Sequence, residues 1–322
     1  MLRSRRQTAL WCVLLTFGVT SGVAALDRGE GYLNISGGKV WYRVDGDGSG
    51  VPLLVIHGGP GLPSDYLFSL SDQGKERPVI FYDQLGCGRS TRTTDPSQWT
   101  IDHFVAELDA LRTHLGLDRV HLYGHSWGSI IAIEYMLTNP EGVESLVLAG
   151  PVFNFDQWSQ DIDSLIGMFP DSIRAVISQT ERDGTYQSAA FQQAVMDFYH
   201  SYLARQQPWS DDLVHALENR NRPMAEHMVG PSPFSITGTL SHYDCTDKLK
   251  LVTVPVLLLA GDHDEVLAST LVSYNKLLPN SRAAIVGRSG HLPSHDQPGK
   301  HNRIIKGFFR EIEGPGTSAQ NR

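Results

Sequence analysis

Ser126 sits in Gly124-His125-Ser126-Trp127-Gly128, between the apolar run Val120-His121-Leu122-Tyr123 and a helix-like apolar stretch from Ile130 to Leu137. A serine between a strand and a helix can serve as a nucleophile. The flanking glycines let the backbone turn sharply and leave the hydroxyl exposed at the carboxyl end of the strand. Such a hydroxyl needs a base to take its proton, and the base needs an acid to hold its tautomer. Both occur downstream, in the order serine, acid, histidine. The strand-like run Val256 to Ala260 leads into Gly261-Asp262-His263-Asp264-Glu265, and the run Ala283 to Val286 is followed by Ser289-Gly290-His291. One acid in a loop is usually only solvated, and one histidine is usually a surface or core residue. Their shared order and strand-end placement point to acyl transfer.

Asp262, Asp264 and Glu265 compete as the acid, and His263, His291 and His295 as the base; the reading favours Asp264 and His291. His125 is too close to Ser126 in sequence to turn back onto it, and His57 opens a glycine loop where a structural role is expected. Charge developing on the substrate oxygen must meet preorganised donors. The N–H of Trp127, directly after the nucleophile, is one candidate. Gly59, in His57-Gly58-Gly59-Pro60-Gly61, is the other, because glycine lets the backbone approach the substrate. No Gly-Lys-Ser/Thr follows that loop, so it is not a phosphate cradle. No Cys/His spacing suits zinc, and the chemistry calls for no metal or organic cofactor.

These groups need a frame. Leu53-Leu54-Val55-Ile56, Val79-Ile80-Phe81-Tyr82, the run before Ser126, and Ser145 to Ala149 are short apolar runs that alternate with a helical pattern over Ile101 to Leu115. That alternation predicts an α/β fold with a mostly parallel sheet covered by helices on both faces, an α/β-hydrolase fold. From 151 to 245 strand-like runs vanish and helical segments appear, including Phe191 to Leu203 and Asp211 to Glu218. Residues 26–150 and 246–313 therefore read as two parts of one core, with 151–245 as an inserted helical cap. Residues 314–322, rich in Gly, Pro, Ser and Asn, read as a disordered tail.

The first 25 residues differ from the rest. Arg3, Arg5 and Arg6 precede an apolar stretch from Ala9 to Val19, and small residues follow up to Ala25, the layout of a secretory signal peptide. The stretch is too short for a membrane span, which needs about 20 predominantly apolar residues. The expectation is an exported protein with no span in the mature chain. Loss of three arginines would take the net charge from −8 to −11. No Lys/Arg-rich block could neutralise phosphates, so nucleic acid is not an expected partner. Cys12 would leave with the signal, so Cys87 and Cys245 are either a disulfide or two small buried thiols. Asn34-Ile35-Ser36 is a glycosylation sequon, meaningful only in a eukaryotic source.

The HGGPG loop at His57, Asp83-Gln84-Leu85-Gly86-Cys87-Gly88-Arg89-Ser90 and the Ser126 pentapeptide together closely resemble the proline iminopeptidase family of α/β-hydrolases. The likeness runs from Tyr32 to Phe309 and includes Phe198-Tyr199-His200 and Phe234-Ser235-Ile236-Thr237-Gly238. It implies a triad of Ser126, Asp264 and His291, and removal of an N-terminal residue, often proline, from peptides or amides. It also implies that Glu265 binds the substrate's ammonium group. A second amine-binding glutamate of the family lies in Gly-Pro-Asn-Glu-Phe; this chain reads Gly230-Pro231-Ser232-Pro233-Phe234, with proline in place of the carboxylate. An amidase or ester hydrolase with no need for a free amine is therefore the alternative. A non-catalytic binding protein is disfavoured by the complete triad.

Overall fold

β1 (Gly29–Ile35) and β2 (Gly38–Asp45) open the chain as an antiparallel hairpin. Sequence patterning did not flag them: β1 alternates between exposed and half-buried positions, so it has no apolar run. Asn34 lies exposed on β1. The strands that follow are of the other kind. β3 (Leu53–Ile56), β4 (Val79–Tyr82), β5 (Val120–His125) and β7 (Val256–Gly261) are buried at every position, as strands covered on both faces must be. β6 (Val143–Ala149) and β8 (Ser281–Val286) complete the sheet. This computed structural model describes residues 26–314; the proposed signal peptide and residues 315–322 of the tail lie outside the described residues.

The eight strands run in the order β1-β2-β4-β3-β5-β6-β7-β8. β2 pairs antiparallel with β4, and every later pairing is parallel. One edge of the sheet therefore collects the loops that leave the carboxyl ends of β3, β5, β6, β7 and β8, which is where ligands bind in sheets of this kind. α1 (Ile101–His114) and α2 (Trp127–Met136) pack on each other beneath the sheet. α2 starts directly after Ser126, three residues earlier than its apolar pattern suggested. Both Cys87 and Cys245 are buried free thiols.

Between β6 and β7 the chain forms α3 (Phe155–Ile166), α4 (Asp171–Asp183), α5 (Ala189–Phe198), α6 (Asp211–Glu218) and α7 (Arg222–Met228). α5 runs on into a π-helical turn, Tyr199–Leu203. The excursion is closed at its neck by backbone bonds from Phe155 N–H to Tyr243 O and from Cys245 N–H to Phe153 O, 3.0 and 2.9 Å. α8 (Ala268–Leu277), α9 (Pro293–Asp296) and α10 (Pro298–Glu313) follow. Among the described residues no helix is long and apolar enough to cross a membrane.

Candidate active site

Ser126 has φ 51° and ψ −118°, a left-handed conformation that costs a non-glycine residue about 1–3 kcal/mol. Its neighbours explain why the chain accepts that strain. A Cβ on Gly124 would stand 2.6 Å from Gly128 O, and one on Gly128 would stand 2.3 Å from Ile56 O. Both glycines are required by close backbone approach. The turn lifts the half-buried Ser126 into a cavity of about 120 Å³, which His291, Glu265, Gly59 and Trp127 also line.

Asp264 lies beyond the end of β7 and is 3% exposed. Its Oδ2 accepts from Gly261 N–H at 3.0 Å and its Oδ1 from Val266 N–H at 2.9 Å. The same Oδ1 accepts the Nδ1 proton of His291 at 2.7 Å, which leaves His291 Nε2 as the free acceptor. The imidazole rests on the end of β6: a Cβ on Gly150 (φ 53°) would stand 2.5 Å from its Cε1. Burial disfavours the charged ring, but the Asp264 and Glu265 carboxylates outweigh it and push its pKa up to about 9. Glu265 is itself raised, by burial first and then by Asp264, against the pull of His291 and Arg220.

The competing residues stand elsewhere. Asp262 and His263 are exposed and bond to one another at 2.9 Å. His295 faces Ser210 and Gln206 at 3.4 Å. His57 is fully buried. Its Nδ1 proton goes to Gly58 O at 2.9 Å, and its Nε2 accepts from Gln84 N–H at 2.9 Å. It is a structural tie, as its place in the loop suggested. Among the described residues no group of three or more His, Cys, Asp or Glu side chains converges on a metal position.

Trp127 opens α2, so its N–H is one of the helix donors without an intrahelical acceptor. In the loop after β3, Gly58 N–H is already engaged by the Tyr66 hydroxyl at 2.6 Å, which leaves the neighbouring Gly59 facing the cavity. Tyr66 in turn donates to His125 Nδ1 at 2.9 Å, and His125 Nε2–H donates to His291 O at 2.9 Å. Burial first, and then the nearby His291, holds the His125 ring well below the ordinary histidine value, so it stays neutral and keeps that polarity. Gln84 bridges a second way, giving Nε2–H to His57 O and accepting the Trp127 indole N–H, both at 2.9 Å.

The helical excursion between β6 and β7 joins this framework through main chain. His291 N–H bonds Tyr202 O at 2.7 Å and Leu292 N–H bonds Leu203 O at 3.0 Å. Buried Asp296 accepts from Gly290 N–H at 2.8 Å, Arg205 N–H at 2.9 Å and Gln206 N–H at 2.8 Å. Sequence reasoning missed Tyr66, Gln84 and Asp296 as working residues. The Asp83-Gln84 motif drew notice only as a pattern, and Tyr66 carried no signal.

A sheet of this order, with a serine on the turn after its central strand and an Asp–His pair from later loops, defines an α/β hydrolase. The family model for the alpha/beta hydrolase fold matches residues 51–298. A proline iminopeptidase from Heyndrickxia coagulans is 37% identical over 88% of this chain and 99% of its own length. One from Thermoplasma volcanium is 32% identical over 88% and 97%. The crystal structure of a Mycobacterium smegmatis proline iminopeptidase superposes with a TM-score of 0.83 at 28% identity, covering 88% of this chain and 99% of that one. The chain belongs to the proline iminopeptidase family.

Tyr66→Phe removes the hydroxyl that satisfies both Gly58 N–H and His125 Nδ1. Each orphaned buried group costs about 1–3 kcal/mol. With a chromogenic substrate, kcat is expected to fall about tenfold or more with little change in KM. A purely structural tyrosine would lower the melting temperature and leave kcat per folded molecule intact.

Proposed function

We propose that this enzyme removes an N-terminal residue, proline foremost, from peptides or amides by acyl transfer through Ser126. The observation that carries the reading is the 2.7 Å Asp264–His291 pair opening onto the same cavity as Ser126. His291 Nε2 takes the Ser126 proton as Oγ bonds to the substrate carbonyl carbon. Trp127 N–H and Gly59 N–H receive the oxyanion. The C–N bond then breaks as His291 passes its proton to the leaving amine. Water, deprotonated by His291, releases the acyl group.

Glu265, buried at the cavity wall beside Asp264, receives the substrate ammonium, and Phe155, Trp158 and Leu213 offer apolar walls that suit a pyrrolidine ring. The names of the relatives support proline. Pro233, which also lines the cavity, favours a second reading, an amidase or esterase indifferent to the amine. Comparison of proline anilide with its N-acetylated counterpart separates the two. Loss of about ten- to a hundredfold in kcat/KM on blocking the amine is expected, the range for a hydrogen bond to a charged group. Equal rates would transfer the conclusion to the second reading, and full activity in Ser126→Ala would overturn both.

The base must be neutral to act. With the His291 pKa raised to about 9, kcat/KM is expected to climb with pH to about that value. Glu265→Gln removes one of the carboxylates that stabilise the imidazolium, so its acid limb should move to lower pH. A bound ammonium works in the same direction, which places the limb of kcat below that of kcat/KM. pH–rate profiles of the two proteins check this, and coincident limbs would refute the role given to Glu265.

Residues 1–25 are proposed as a cleaved export signal. N-terminal sequencing of the protein from its native host is expected to begin near Leu26, and recovery of an intact Met1 end would exclude cleavage.

A further inference from the structure

The cavity at Ser126 adjoins a second one of about 270 Å³ within the cap. Tyr199, Leu217, Arg220 and Pro233 line both, so these four side chains form the partition between them. Arg220 is the lysine- or arginine-type cation on the catalytic side. Among the described residues it makes no ion pair within 4.0 Å and its Nε is buried with no hydrogen-bond partner, so the neutral Tyr199 hydroxyl, rather than an anion, is what its guanidinium meets. Glu265 lines the same cavity, and the Arg220 charge draws its pKa down against the effect of burial. On the far side of the partition Arg220 is joined by Arg222 and opposed by Glu226, so that chamber carries a net positive charge.

A half-buried guanidinium left without an anion is a poor structural residue and a good ligand for a carboxylate, which it can grip through parallel N–H bonds. The two charged ends of the site, Glu265 beside the catalytic pair and Arg220 at the partition, match the two ends of a short zwitterionic peptide. We propose that Arg220 receives the C-terminal carboxylate of the leaving portion, so that the preferred substrates are free di- and tripeptides. The proposal rests on the aminopeptidase reading, because it assigns the substrate's ammonium to Glu265. It adds a recognition element for the other end of the molecule. The covalent steps are unchanged: the scissile C–N bond breaks, the amine leaves protonated by His291, and the departing peptide keeps its carboxylate against Arg220.

The test compares Pro-Gly and Pro-Gly-Gly with their C-terminal amides. Amidation is expected to lower kcat/KM about tenfold in the parent enzyme, the lower end for a charge-assisted bond. Arg220→Met should cleave acid and amide at similar rates, and Arg220→Lys should restore part of the preference. Calorimetric binding of the same four peptides to Ser126→Ala protein reads the contact without turnover. It also separates the two readings: peptides that bind with the acid preferred but are not hydrolysed would count against the aminopeptidase reading alone. Equal rates and equal affinities for acid and amide in the parent would overturn the role of Arg220, as would a preference that survives in a folded Arg220→Met protein.

Discussion

The site depends on one close contact of main chain with main chain. Gly128, in the first turn of α2, lies so near Ile56 O at the end of β3 that a single added carbon would stand 2.3 Å from it. That approach holds the start of α2 close against β3, directly after the turn on which Ser126 takes its φ of 51°. It also sets the two candidate oxyanion donors side by side, since the chain beyond Ile56 continues into Gly58 and Gly59 while Trp127 begins the helix. Ser126 and the two candidate oxyanion donors thus come from a shared backbone crossing.

Around that crossing, three histidines of one chemical type are held in two different states. His57 and His125 are lowered chiefly by burial, and each uses one ring nitrogen as donor and the other as acceptor. As neutral rings they act as rigid connectors. His291 is equally buried, but Asp264 is bonded directly to its Nδ1 and acts with Glu265 to reverse the effect of desolvation, which the unbonded Asp83 and Asp65 fail to do at His57. Only this ring keeps a lone pair directed at the cavity. The charges next to each imidazole, rather than its depth, decide which one can exchange protons.

Much of this was legible in the sequence. The G-x-S-x-G turn, the acidic loop after one apolar run and Ser-Gly-His after another single out Ser126, Asp264 and His291 as candidates because chain order and strand ends are local properties, and the fold sets Asp264 against His291 at the cavity that holds Ser126. The buried strands β3 to β7 were legible for the same reason, as uninterrupted apolar runs. The β1–β2 hairpin was not, because an edge hairpin half in water lacks such a run. Tyr66, Gln84 and Asp296 were invisible for a different reason. Each works through a partner far away in the chain, such as Tyr66 with His125 or Asp296 with Arg205, and their residue types are ordinary. Arg220 gains meaning only when two cavities are found to share it.

Asp296 joins parts that are usually described separately. Its carboxylate is bonded at once to the loop bearing His291 and to the chain leaving the π-helical turn of the cap, and the backbones of those two segments also bond directly. The backbone of His291 is thus fastened to the helical excursion itself: a displacement of Tyr202 would have to break its bond to His291 N–H or carry that residue along, so the position of the candidate base and the closeness of the excursion over Ser126 are one geometric quantity.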